Sequence, residues 1–447
     1  MDARESLFKI TERLLQETLQ GISYAKRKGL RSSVKAALRS TIKHGLPLER
    51  IAKALTDNKE QSFKKSWSQL AKRDWPSLMP LRLFSEGEHG ESYTTVVTDS
   101  IEGRHLIDGV RSAVVLGTLL ANRRKQPLRI ITRTEEASAE TYRSLIEAQD
   151  ISLDHELILN HDPASGQGLG VSHSIHNFYI TTSWWNTYSC LQRISASQIL
   201  FVLQEDERYS LPHGDLRIQC ETVLRNEQIS FAIGSRLLWD HLISEGFMNI
   251  ARRGTWFEPA TPMAYKAVQP ESLTCKKKLV VYLNSDDSKS LNRMSLSAIN
   301  SSLVTHCLSP SEWDIILIDD GLEEFSFDDG TTARLVVNPT LTEYLSLVSE
   351  ADVGLALIAG PHPGFPPLDL AAAGSVVVTN NYGNKSSLAS YSENILCVDP
   401  SLEDLQRAIY QAVEAANNMP SKQNKEDKCS LPSSWSESFA KILDQNS

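Results

Sequence analysis

The sequence predicts an α/β protein: two doubly wound parallel sheets facing each other across a cleft, with a helical extension in front. Three observations point there. From Ser92 onward, short β-branched runs alternate with amphipathic helical stretches, the order that builds parallel sheets. The alternation pauses between Glu258 and Lys278, where three prolines and the Lys276-Lys277-Lys278 run occur, and then starts again. A chain of 447 residues, 41% hydrophobic, is long enough for two such domains plus extensions. The expected boundaries are a basic helical extension at 1–85, a first domain at 86–260, a hinge at 261–278, a second domain at 279–418, and a loose tail with a closing helix at 419–447.

The extension alternates apolar and basic positions at helical spacing. Leu7, Ile10, Leu14, Leu15 and Leu19 form one stripe, Val34, Ala37, Leu38 and Ile42 another, and Gly45-Leu46-Pro47 breaks the run. The net charge of −9 hides an asymmetry: through Arg82 there are 18 basic against 8 acidic residues, and the remainder holds 28 against 47. A basic leader on an acidic body suits an anionic membrane surface or a partner protein, and is equally read as a solvated helical appendage. Nothing in the pattern points to nucleic acid. The six cysteines lie far apart with no metal-ligand spacing, which implies free thiols in a reducing compartment. A charged start and the lack of any long apolar run lead to the expectation of a cytoplasmic protein, peripheral on the inner face of the membrane if the leader binds lipid.

Within the first domain, strands are expected at Tyr93–Thr98, Leu128–Thr132, Phe178–Thr182, Ile199–Leu203 and Ile229–Ile233. Helices are expected at Val110–Asn122, Ala137–Ala148, Ile218–Leu224 and Arg236–Ile243. The second series has strands at Leu279–Leu283, Ile315–Ile318, Leu335–Val337, Val353–Leu357, Val376–Thr379 and Ile395–Val398. Its helices are expected near Asn292–Thr305, Leu341–Ser349, Leu368–Ala373 and Leu402–Ala416. The last helix, Glu437–Asp444, is expected to return to the first domain.

Candidate chemistry lies where strands end, because open parallel sheets bind ligands at their carboxyl edges. The richest stretch is the proline-bounded loop Pro361-His362-Pro363-Gly364-Phe365-Pro366-Pro367-Leu368-Asp369, which runs into a helix that stops at Gly374. Backbone N–H groups at that helix start are expected to hold a phosphate, and Asp369 a ribose hydroxyl. In the first domain, Gly109 lets a backbone approach a ligand closely, and His105 precedes it. Trp184 and Trp185 offer flat faces to a sugar ring. Gln204-Glu205-Asp206-Glu207 places three acids at one strand end, where a carboxyl with a raised pKa can act as a base. Gly166-Gln167-Gly168-Leu169-Gly170 lacks the strand-to-helix context of a phosphate loop.

The proline loop resembles the nucleotide-sugar loop of GT-B glycosyltransferases, built from two Rossmann-like domains. More narrowly, it is similar to the WsaF-type rhamnosyltransferases of bacterial rhamnan synthesis, a family-4-like group in which Pro-His-Pro-Ser-Tyr-Pro-Pro-Leu-Glu-Met-Ala is typical. The resemblance runs from about Tyr93 to Val413 and also rests on His105–Gly109, Thr181–Trp185, Gln204–Glu207 and Asn381–Lys385. It implies a hexosyltransferase that takes rhamnose from dTDP-rhamnose to a growing cell-surface polysaccharide. Neither metal nor cofactor is implied, because protein cations stabilise the leaving diphosphate. It places the donor near Gly109, Lys289, Arg293, Gly364, Phe365, Pro367, Leu368, Asp369 and Lys385. The acceptor falls near Trp184, Trp185 and Glu207, with Glu205, Asp206 and His105 as catalytic candidates. The chain departs from the family at Asn284 and Asn338, where an arginine and a lysine are usual, and at Asp108, Phe365 and Asp369. The lost cations leave a rival expectation, a silent GT-B-like module that binds glycan or a partner glycosyltransferase.

Overall fold

The computed structural model describes residues 75–85, 90–103, 109–163, 170–260, 276–285, 287–319, 321–322, 324–418 and 429–446. The chain divides into two compact units, 1–73 and 74–447, and both sheets with their helices belong to the second. The leader helices, His105, the Gly166–Gly168 loop and the 261–275 part of the hinge lie outside the described residues.

The first half holds β2 (Thr94–Thr98), β3 (Leu128–Thr132), β4 (Leu157–His161), β6 (Phe178–Thr181), β7 (Ile199–Leu203), β8 (Ser230–Gly234) and β9 (Gly254–Phe257). They pair in the order β4-β3-β2-β6-β7-β8-β9, every pair parallel. A small parallel ribbon joins β1 (Leu83–Ser85) to β5 (Val171–His173). The second half holds β10 (Lys277–Tyr282), β11 (Trp313–Ile318), β12 (Arg334–Val336), β13 (Val353–Ala356), β14 (Val376–Asn380) and β15 (Ile395–Val398). Their order is β12-β11-β10-β13-β14-β15, again all parallel. Central strands such as β7 and β14 are buried along their whole length, because helices cover both faces of a parallel sheet.

Helices α1 (Val110–Arg124), α2 (Ala139–Ala148), α3 (Trp184–Leu191), α4 (Asp215–Leu224), α5 (Arg236–Ser244) and α6 (Met248–Arg253) connect the first sheet. In α1, Gly117 permits close contact with β2: a Cβ there would lie 2.5 Å from a methyl of Val96. Helices α7 (Asn292–Val304), α8 (Leu341–Glu350), α9 (Phe365–Ala372) and α10 (Leu402–Asn418) serve the second. Thr340 and Glu343 form a capping box that fixes the start of α8. One face of α10, from Leu405 through Ala408, Ile409, Ala412 and Val413 to Ala416, is buried, as its 3.6-residue spacing requires.

The closing segment packs on the first half through α11 (Trp435–Ser438) and α12 (Ala440–Asn446). Trp435 Nε1 donates to Gln149 Oε1 at 2.6 Å, and Phe439 lies against Phe257 with ring centroids 4.7 Å apart. Arg123 pairs with Asp444 at 2.5 Å.

Strands β4 and β9 and helices α3 and α6 were not among the expected elements. β4 carries Asn160 and His161, and β9 is short and only partly buried, so neither reads as an apolar run. Helix α9 begins at Phe365, three residues earlier than expected, because proline is tolerated in a first turn, where its missing N–H has no helical partner. Among the described residues, no helix is long and apolar enough to cross a membrane. Cys190 and Cys220 are buried free thiols, and Cys307 and Cys397 are partly buried ones.

Candidate active site

A cavity of about 330 Å³ opens between the carboxyl edges of the two sheets. Asp99 follows β2 and Gln204-Glu205 follow β7 on one side; Tyr282 ends β10 and Leu357 follows β13 on the other. Gly109, at the start of α1, lines it, and its carbonyl accepts a hydrogen bond from the Gln204 amide, which also reaches Ser112 Oγ. A Cβ at Gly109 would sit 3.0 Å from that amide, so glycine keeps the contact open.

The acidic run divides in two. Glu205 and Glu207 line the cavity, whereas Asp206 turns into the protein towards Arg208 and His241. Asp206 receives Arg208 at 2.6 and 2.9 Å and His241 Nε2 at 3.0 Å. Burial alone would raise its carboxyl, but these donors outweigh burial and hold it at about 2. Asp206 thus anchors the turn and does not face the cavity.

Glu205 reaches across to the second half, where Lys289 Nζ meets its Oε1 at 2.8 Å. Lys289 also contacts Asp287 at 3.2 Å and bonds Ser210 Oγ. Burial would pull this ammonium down, yet Glu205 and Asp287 together hold it above its ordinary value. Desolvation pushes the Glu205 carboxyl up against the pull of Lys289, with Asp287 and Asp206 adding to the rise. Glu207 is pushed well up by burial and then by Glu205, while its Oε2 accepts the Trp184 backbone N–H at 2.6 Å. That bond caps α3, whose Ser183 side chain accepts from Asn186 N–H. Trp184 packs in the core; Trp185 faces the cavity and donates its Nε1 to Asp99 at 2.7 Å.

On the other wall, Gly364 adopts φ 78°, a left-handed conformation natural to glycine, and turns the loop into α9. Gly364, Phe365, Pro367 and Leu368 line the cavity. The expected phosphate cradle is thin here. Of the unbonded amides at a helix start, Pro366 and Pro367 supply none, which leaves those of Gly364 and Phe365.

Asp369 lies in the second turn of α9, only 3% exposed, and does not line the cavity. Its oxygens accept from Arg111 of α1 at 3.4 Å each and from Tyr344 Oη at 3.1 Å, and the Arg111 guanidinium covers the Phe365 ring at 4.7 Å. Lys385 is fully buried, donates to the Ile358 carbonyl at 3.4 Å, and is drawn down to about 8 by desolvation. Arg293 is exposed on α7, outside the cavity lining. Asn284 lines the cavity, and Asn338 approaches Gly103 of the first half closely.

Sequence reasoning singles out neither Arg111 nor His362 as a site residue. His362 lines the cavity, 8% exposed, with Nε2 3.9 Å from Glu205 Oε2 and no hydrogen-bond partner for that nitrogen among the described residues. Burial, then Lys385 and Lys289, lower its pKa to about 3, so the ring is neutral. Its place in the proline loop is the available signal.

Two parallel sheets facing across such a cleft define the GT-B class of fold. In agreement, the Candida albicans trehalose-6-phosphate phosphatase N-terminal domain, 12% identical, superposes with a TM-score of 0.51 over 82% of this chain and 100% of that one. A UDP-forming α,α-trehalose-phosphate synthase from Burkholderia xenovorans is 10% identical, with a TM-score of 0.47 over 79% and 100% of the two chains. A Rickettsia africae glycosyltransferase is 12% identical, with a TM-score of 0.46 over 80% and 98%. Residues 277–410 match the family model described as WsaF, C-terminal domain. No curated protein matches the chain.

Proposed function

We propose that the chain is a glycosyltransferase that moves a sugar, rhamnose from dTDP-rhamnose, onto a growing bacterial cell-surface polysaccharide. The observation that carries this reading is the WsaF match, which covers the half holding the proline loop at the cavity wall. The donor is placed against Gly364, Phe365, Pro367 and Leu368, with Lys289 as the nearest cation to its phosphates. The acceptor lies against Trp185 and Glu207, and Glu205 is the candidate base, its raised carboxyl suited to taking a hydroxyl proton. Asp369 and Lys385 support the wall from behind. The basic leader is assigned to docking on anionic lipid or a partner glycosyltransferase; salt-sensitive liposome pelleting that needs residues 1–83 tests this.

A specific observation favours the silent-module reading. Among the described residues lining the cavity there is no lysine or arginine, while Asp99, Glu205, Glu207 and Asp287 supply four carboxylates. Calorimetry with dTDP, UDP and GDP, followed by transfer assays with dTDP-rhamnose, separates the two. Selective dTDP binding with turnover supports the transferase; no nucleotide binding and no turnover leaves the silent module.

A further inference from the structure

The cavity combines flat apolar surface with carboxylates. Trp185, Phe257 and Phe365 line it, and acids stand on both walls. Rings suit the C–H face of a pyranose, and carboxylates accept hydrogen bonds from its hydroxyls. His362 adds a buried, neutral ring whose Nε2 faces Glu205 without a hydrogen-bond partner among the described residues. It contributes hydrogen-bonding capacity and no positive charge. Lys289 and Arg111 are already engaged with Glu205 and Asp369.

We propose that the acceptor side of this cleft, formed by Asp99, Trp185, Glu205 and Glu207 with His362 opposite, takes an uncharged, hydroxyl-rich sugar and rejects sugars bearing a carboxylate or phosphate. The proposal rests on the cleft being the glycan site. Burial first, and then neighbouring acids, lift Glu205 and Glu207, so the site already disfavours negative charge. An anionic sugar set among them adds a further like charge at short range, where screening is weak. A neutral sugar meets no such repulsion and can give its hydroxyl protons to the same oxygens.

The test uses the full chain and a matched pair that differs only at C6: methyl glucoside, and methyl glucuronide, with methyl rhamnoside alongside. Binding is read by ligand-observed NMR and calorimetry, and dTDP is titrated separately. The expected result is at least about tenfold tighter binding of the two neutral glycosides than of the glucuronide, with the gap narrowing as salt rises. The Asp99→Asn/Glu207→Gln variant narrows it further. Because the wild-type comparison stands alone, a variant that fails to fold does not remove the test. Equal or tighter glucuronide binding overturns the proposal, as does the absence of binding by either neutral glycoside. Neutral preference without dTDP binding keeps the proposal and removes the transferase reading. Binding of dTDP with no discrimination by charge does the reverse.

Discussion

Arg111 and Asp369, 258 residues apart in sequence, form a buried ion pair that joins the first helix of one half to the proline-loop helix of the other. The guanidinium is fully buried and stacks on Phe365, a wall of the cavity, so this pair holds that wall against the facing domain.

Removing one partner leaves a buried charge uncompensated, which typically costs about 3–5 kcal/mol. Asp369→Ala is therefore expected to lower stability by that order in urea unfolding. The double variant Arg111→Met/Asp369→Leu should regain much of the loss. Additive effects of the two single changes would show that the pair contributes nothing jointly.

Asp206 gives a pH-dependent contribution of defined sign. A carboxyl held at about 2 when folded, against an ordinary value near 3.8, stabilises the protein above about pH 4 and loses that contribution as pH falls through about 2. Its size at neutral pH is roughly 2 kcal/mol. Asp206→Asn should be less stable than the parent at pH 7, with the difference shrinking steadily towards pH 2. A difference that is constant with pH would mean the donors from Arg208 and His241 act through geometry alone.

The neighbouring acids separate by role under the proposed chemistry. Glu205→Gln is expected to lower transfer from dTDP-rhamnose by about 10²-fold or more, as loss of a general base does. Asp206→Asn, measured at a temperature where it remains folded, should keep kcat within a few-fold. Equal losses in both would remove Glu205 from the role of base.

At Gly117 two effects oppose. Alanine is the better helix former by about 1 kcal/mol. Its Cβ, however, would lie 2.5 Å from a methyl of Val96, a stiff β-branched neighbour in a full core. Overpacking of this kind costs about 1–3 kcal/mol, so Gly117→Ala should be net destabilising. A rise in melting temperature would show that α1 can move away from β2.

Much of the fold is legible in the sequence because parallel strands buried on both faces read as unbroken apolar runs, as in Ile199–Leu203 and Val376–Thr379. Strand ends likewise lead to Glu205, Glu207 and the proline loop. Period and composition do not reveal which way a side chain turns after a strand stops, so Asp206 looks equivalent to its neighbours. Asp369 reads as a residue at the helix start when Leu368 is the first helical residue; with two prolines inside the first turn, it falls one turn deeper and faces Arg111. Arg111 itself carries no local signal, since its meaning comes entirely from a partner in the other half. Helix α3 hides behind its two tryptophans, although Ser183 supplies an N-cap.

The closing helices bear on the order in which the protein can mature. Trp435 and Phe439 fill space against Gln149 and Phe257, so the first half lacks part of its core until residues 435–439 are available. During synthesis the second half can therefore be complete while the first still waits at the ribosome with an apolar face uncovered. Docking of Trp435 and Phe439 then closes the first half after the second has formed.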